Sequence, residues 1–208
     1  MSVFIRQNIG PGHDFSKEKG WVVLNEIEAQ IKRKIEEVGT PLKDWDIQIN
    51  YGIKTGFNEA FIIDDKKREE LLKNCPKADE IIRPILRGRD IGRYKINYEN
   101  LWLINSHNGT KEQNLPKINL EKDYPGIYKY LLTYEKQLSN RSDKGDHWSN
   151  LRNCAYLDIF SGPKILYAET MRLHKSDLSN FPRFTFDKGD FICDKTVFAI
   201  TGQKLKYI

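Results

Sequence analysis

The run Ile81-Ile82-Arg83-Pro84-Ile85-Leu86-Arg87-Gly88-Arg89-Asp90-Ile91-Gly92-Arg93-Tyr94 constrains this chain more than any other stretch. Four arginines fall between positions 83 and 93, broken by Gly88 and Gly92 and opposed only by Asp90. The apolar residues Ile81, Ile82, Ile85 and Leu86 predict an element anchored in a core that then delivers the arginines outward. Glycine permits turns and close backbone approaches that other residues do not. A guanidinium is a planar fork of donors, matched to a phosphate or to the O6/N7 edge of guanine. A solvated loop whose arginines pair with surface acids fits the same pattern. Taken alone, the stretch leaves both readings open.

Composition narrows the class without deciding it. The 208 residues can bury a proper core, as one large domain or a domain with an appendage. Lys and Arg number 34 against 29 Asp and Glu, a net charge of +5 with an isoelectric point near 8.9. That mild basic excess suits a polyanionic partner and is concentrated over residues 83–95. Cys75, Cys154 and Cys193 are odd in number, widely spaced and never in a Cys-x-x-Cys pair. They argue for a reducing cytoplasm and against a disulfide framework or a structural zinc site. No apolar run approaches the ~20 residues needed to span a bilayer, so no membrane partner is expected. The N-terminus, Arg6 followed by polar and glycine-rich residues, is not a signal peptide.

Periodicity predicts mixed secondary structure. Leu24, Ile27, Ile31, Ile35 and Val38 repeat at three- and four-residue steps, one apolar stripe on a helix over about 26–38. Asn25 with Glu28 supplies its N-cap, and Gly39 with Pro41 its stop. The stripe is narrow and the other faces are charged, which points to a connector. A second helix is expected after Asp64 or Asp65, ending before Pro76, and a third from Pro125 to about Leu138. Strands are expected near 47–50, 59–63, 101–104, 163–168, 183–186 and 196–200. Strands and helices without regular βαβ alternation point to an α+β fold, a mixed sheet with flanking helices.

A second informative stretch runs from Asp46 to Asp64 and reads as strand, glycine-punctuated turn and strand around Gly52-Ile53-Lys54-Thr55-Gly56-Phe57-Asn58. Together with Leu86-Arg87-Gly88-Arg89-Asp90-Ile91 it resembles the TaqI-like C-terminal specificity domain. That domain is the target-recognition part of adenine-specific DNA methyltransferases and of fused type II restriction-modification enzymes. Further pieces fit in order. They are Trp102-Leu103-Ile104-Asn105, Tyr124-Pro125-Gly126-Ile127, the segment from Arg141 to Trp148 with Leu151-Arg152, and Pro163-Lys164-Ile165. Upstream, residues 35–45 resemble the segment leading into the domain. Each motif is short, and their order over roughly residues 35 to 170 makes the resemblance specific.

The resemblance implies an N-terminal extension and connector helix over 1–44 and a target-recognition domain over 45–208. Family domains continue past the Thr196–Gly202 stretch, so the expectation is a domain truncated at its C-terminus. It also implies recognition of double-stranded DNA beside a methyltransferase domain or subunit. A methyltransferase of this kind needs a glycine-rich cofactor loop and an Asn-Pro-Pro-Tyr type motif, and the sequence has neither. S-adenosylmethionine, and magnesium if the parent also cuts, would belong to other domains. The chain is therefore expected to be non-catalytic by itself and to hold no cofactor.

The residues implied for DNA contact are Lys54, Thr55 and Asn58 on the glycine-flanked turn, and Arg87, Arg89 and Arg93 on the arginine run. To these are added Arg141, Lys144 and Arg152 beside Trp148, and Arg172 and Lys175 after a predicted strand. Phosphate contacts would set register and base-edge contacts the sequence read. Gly52 and Gly56 equally permit a plain tight hairpin capped by Asn58, and Trp148 and Leu151 equally belong to a core. His107 and His147 fit local turns.

Two other classes stand beside this reading. One is a protein-interaction module docking through the 24–38 helix on a methyltransferase or defence-complex subunit. The other is a magnesium-dependent nuclease using scattered Asp44, Asp46 and Glu59, although the chain has no Pro-Asp dipeptide to open the usual nuclease motif.

Overall fold

A computed structural model describes residues 24–111, 113–171, 179–203 and 205. The chain divides into two units, Met1–Asp46 and Ile47–Ile208.

In the first unit, helix α1 spans Glu26–Val38. Its start is a reciprocal cap: the Asn25 side chain accepts from the Glu28 amide, and the Glu28 carboxylate accepts from the Asn25 amide, each at 2.9 Å. Two of the helix's orphan amide donors are thereby satisfied. The Gly39 amide closes the other end on the Ile35 carbonyl at 2.7 Å. Ile27, Ile31, Ile35 and Val38 are exposed by 53% to 88%, so the expected stripe forms and stays open to solvent.

The second unit is mixed α+β. One antiparallel sheet has the order β1 (Ile47–Tyr51), β10 (Val197–Gly202), β7 (Lys164–Ala168), β8 (Phe184–Asp187). The other runs β2 (Ile62–Asp64), β6 (Leu101–Ile104), β3 (Ile82–Leu86), β9 (Ile192–Cys193). Only its β3–β9 pair is parallel. A short hairpin pairs β4 (Ile91–Gly92) with β5 (Lys95–Ile96). Helices α2 (Asn58–Phe61), α3 (Asp65–Asn74), α4 (Leu120–Asp123), α5 (Pro125–Leu132) and α6 (Glu135–Asn140) flank the sheets.

The core explains why β3 can carry the arginines. Ile85 and Leu86 are fully buried, as are Ile91, Leu103, Ile127 and Leu131. Each such side chain contributes about 1.5–3 kcal/mol relative to its exposed state. β3 thus ends in the core at Leu86, and Arg89 is the first exposed residue after it.

Two expected elements form differently. Residues 59–63 were expected as strand, but Asn58–Phe61 is a helical turn and only 62–64 pair in a sheet. Gly56 takes φ +69°, and the Thr55 hydroxyl donates to Asn58 Oδ1 at 2.5 Å, which bends the chain and buries Ala60 and Phe61. The single helix expected over 125–138 is two helices, α5 and α6, separated at Thr133-Tyr134. There the Thr133 hydroxyl donates back to the Tyr130 carbonyl at 2.7 Å, one local bond that competes with helix continuation. The other strands form within two residues of their expected positions.

Candidate nucleic-acid interface

Two loops far apart in sequence meet where β1 leaves its sheet. The Gly52 amide donates to the Val197 carbonyl at 2.9 Å and the Ile53 amide to the Cys193 carbonyl at 2.6 Å. A Cβ on Gly52 would lie 2.1 Å from the Asp194 carbonyl oxygen, so only glycine allows this approach. The contact brings the 52–58 turn against the 193–196 turn. In the second turn, Asp194 Oδ1 accepts from the Thr196 amide at 2.9 Å and from its hydroxyl at 2.5 Å. The Thr196 hydroxyl oxygen then accepts from the Gly88 amide at 2.8 Å, tying the arginine run to the same place. Burial raises the Asp194 carboxyl above its usual range, while the two Thr196 bonds oppose that.

These ties open two adjoining clefts. One, about 330 Å³, has Tyr51, Lys54, Glu169 and Lys195 in its walls. The other, about 340 Å³, has Asn58, Arg89, Glu169 and Thr170. Glu169 is common to both, so a track leads from Lys54 and Lys195 to Asn58 and Arg89. A smaller depression lined by Tyr51, Lys54 and Arg152 extends it. Lys195 and Arg89 are exposed, and neither makes an ion pair with any described residue. Acidic side chains line the clefts as well: Asp143 and Glu169 the first, Glu169 and Asp194 the second. The arrangement suits a phosphate chain, with exposed hydrogen-bonding groups beside it for base edges.

The expected contact residues divide sharply. Lys54 is half-buried, with its ammonium 4.9 Å from the Tyr51 ring centroid. Asn58 and Arg89 are exposed in the cleft. Arg93 is exposed on the β4–β5 turn. Thr55 is buried and its hydroxyl is engaged by Asn58, so it serves the turn rather than a ligand.

Arg87 was expected as a clamp on DNA, but its side chain is 16% exposed and already paired. Its Nε and Nη2 reach Asp90 at 3.2 and 3.0 Å, and Nη2 also binds Glu99. The Asp90 bond is the main reason the guanidinium holds its proton more tightly than usual, and Arg87 in turn holds the Glu99 carboxyl below the ordinary range. The pair shapes the Gly88–Asp90 turn from which Arg89 projects.

Arg141, also expected at the DNA, is likewise engaged within the fold. It is 8% exposed, and its donors go to the carbonyls of Thr55, Trp148 (3.0 Å) and Asn150 (2.5 Å). The guanidinium also covers the Phe61 ring at 4.5 Å, and burial lowers its pKa to about 10. It fastens the 52–58 turn from inside.

Lys144 is exposed with its ammonium 2.5 Å from the Ser139 carbonyl, and Arg152 pairs with Asp143 at 3.0 Å. Arg172 and Lys175 lie outside the described residues. His147 Nδ1 meets the Ser149 hydroxyl at 2.8 Å, and His107 Nδ1 accepts from the Gly109 amide at 3.1 Å, so both histidines serve turns.

Sequence reasoning missed Glu169, Lys195, Asp194, Thr196 and Arg183. Arg183 Nε donates to the Ile91 carbonyl at 2.7 Å, and Nη2 donates to the Gly88 carbonyl. Only the Asp194-Lys195-Thr196 turn before a strand-like run carried a local signal for any of them. Among the described residues, no group of three or more His, Cys, Asp or Glu is arranged to hold a metal ion, and no helix is long and apolar enough to cross a membrane.

No protein-family description matches the chain. In sequence it is 27% identical over 135 residues to the type II methyltransferase M.MjaIV of Methanocaldococcus jannaschii. The match takes in 60% of this chain and 40% of that relative. In structure it is similar to part of the type IIL restriction-modification enzyme MmeI, solved in complex with DNA. That likeness has a TM-score of 0.48 at 14% identity, over 76% of this chain and 19% of MmeI.

Proposed function

We propose that this chain is a double-stranded DNA recognition module of a restriction-modification adenine methyltransferase. The observation that carries this reading is the convergence of the 52–58 turn, the arginine run, the loop after β7 and the 194–196 turn on one pair of clefts that holds Lys54, Lys195 and Arg89. No single segment supplies it, and its exposed cations Lys195 and Arg89 make no ion pair with any described residue. The sequence similarity to a methyltransferase supports the same direction, since an enzyme that modifies one base must extract it and hold the flanking duplex. Methyl transfer itself, with its S-adenosylmethionine, is assigned to a domain or subunit beyond this chain. Lys54, Lys195 and Arg89 are given the phosphates, and Asn58 and Glu169 the base edges.

The test is selection from a randomised duplex pool by the purified chain at low and near-physiological salt. Enrichment of a short motif, with affinity falling steeply as salt rises, is the expected result. Absence of binding at both salts would remove the reading.

A second reading rests on α1, whose apolar stripe is exposed. An apolar face of this kind suits docking on a protein, such as a methyltransferase subunit. Association that persists unchanged from low to high salt and is lost on Ile31→Asp would favour it.

A further inference from the structure

The β4–β5 hairpin turns through Arg93 and Tyr94, and Tyr94 has φ +57°. That left-handed conformation is unfavourable for a residue with a bulky side chain, and two-residue hairpin turns ordinarily place Asn, Asp or Gly there. The ring gains no burial in return, for Tyr94 is 73% exposed. The backbone beneath it is nevertheless firmly held. The Tyr94 amide donates to the Phe184 carbonyl at 2.7 Å, and the Arg93 amide to Asn180 Oδ1 at 3.0 Å. Arg183 holds the Ile91 carbonyl at the base of the hairpin. Gly92 packs so closely on Lys95 and Asn180 Oδ1 that a Cβ there would meet them at 2.9 and 3.0 Å. A strained, rigidly mounted and solvent-facing aromatic is the arrangement expected where strain serves a ligand.

The chemistry around the ring identifies that ligand. The Arg93 guanidinium lies over the Tyr94 ring, 5.4 Å from its centroid, and Lys95 is exposed next in the chain. The hairpin begins directly after the Gly88–Asp90 turn that presents Arg89. A ring with a guanidinium over one face offers its other face for stacking to a planar base, and the cations offer neutralisation to the phosphate.

We propose that Tyr94 is a stacking platform for an unstacked base of the bound DNA, with Arg93 and Lys95 on the adjoining phosphate. The proposal rests on the DNA-binding reading above. A fully paired duplex buries its base faces, so the platform favours DNA that is locally opened.

The test compares a duplex carrying 2-aminopurine at a central mismatch with its fully paired counterpart, using the purified chain. Wild type is expected to prefer the mismatched duplex and to quench 2-aminopurine fluorescence on binding. Tyr94→Phe keeps both properties. Tyr94→Asn, which suits the left-handed backbone but lacks the ring, loses the quenching and weakens mismatch binding about 5- to 150-fold. Its urea midpoint is expected at or above that of wild type, which separates the effect from misfolding. Undiminished preference and quenching in Tyr94→Asn would overturn the platform while leaving DNA binding intact. Failure of wild type to bind either duplex would overturn both readings.

Discussion

Lys164 and Asp187 form an ion pair sealed from solvent: Nζ lies 2.5 Å from Oδ2, and the two side chains are 0% and 1% exposed. They face each other across β7 and β8. The ammonium also donates to the Phe160 and Gly162 carbonyls at 2.8 and 3.3 Å. The carboxylate accepts from the Asp190 and Phe191 amides at 3.1 and 3.3 Å. With every polar atom so engaged, the pair fixes the loop after β8 to the loop before β7. Lys164→Met would strand a carboxylate in the interior and is expected to cost about 3–5 kcal/mol in urea denaturation. Lys164→Met combined with Asp187→Leu should recover most of that loss. A single variant as stable as wild type would show that the pair contributes nothing.

Gly52 tests how the two turns of the cleft are joined. Alanine there drives Cβ into the carbonyl oxygens of Asp194 and Cys193, at 2.1 and 2.3 Å, and backbone cannot move aside as a flexible side chain can. The expected loss is about 3 kcal/mol, the upper part of the range for overpacking. DNA affinity should fall further than stability explains, because Lys54 and Lys195 sit on the turns being separated. Equal affinity in a folded Gly52→Ala protein would detach the turns from binding.

Arg87 and Arg89 are predicted to behave oppositely despite being two residues apart. Arg87→Ala leaves Asp90, whose side chain is 1% exposed, without its cation and should destabilise by about 3 kcal/mol. Arg89→Ala removes an exposed side chain and should change stability by no more than about 0.5 kcal/mol. Its effect belongs in DNA affinity. A uniform loss across sequences assigns it to phosphate, and a loss of about 1–3 kcal/mol at one base pair assigns it to a guanine.

Stability should decline in alkali, between pH 10 and about 12. Burial, aided at Tyr124 by its hydroxyl donating to Glu80, pushes the phenols of Tyr98 and Tyr124 up to about 12 from an ordinary value of 10.0. Unfolded, the same groups lose their protons near pH 10. Between those values the unfolded state binds fewer protons than the folded one, so its formation is favoured as pH rises. The contribution is complete below pH 10 and disappears by about pH 12. Urea titrations at stepped pH, followed by phenolate absorbance, should show the two events together. A flat profile across that window would contradict the burial of these rings.

Local pattern alone determined a good deal here. The α1 stripe, its Asn25–Glu28 cap and the Gly39 stop are interactions between residues three or four apart, and they form as read. The branched and aromatic runs of β1, β6, β7, β8 and β10 were legible for the same reason, as was the burial of Ile85 and Leu86 ahead of the arginines. Tertiary structure alone decided which cations face outward. Arg87, Arg89 and Arg141 have the same side chain, yet Asp90 and Glu99 engage the first and the carbonyls of Thr55, Trp148 and Asn150 surround the third. Glu169 and Lys195 enter the clefts, and Arg183 braces the hairpin beside them, from segments that lie well past Arg93, at residue 169 and beyond. A charge announces itself in sequence, but its partner is set by long-range packing, and the partner determines whether the charge supports the fold or remains free for a ligand.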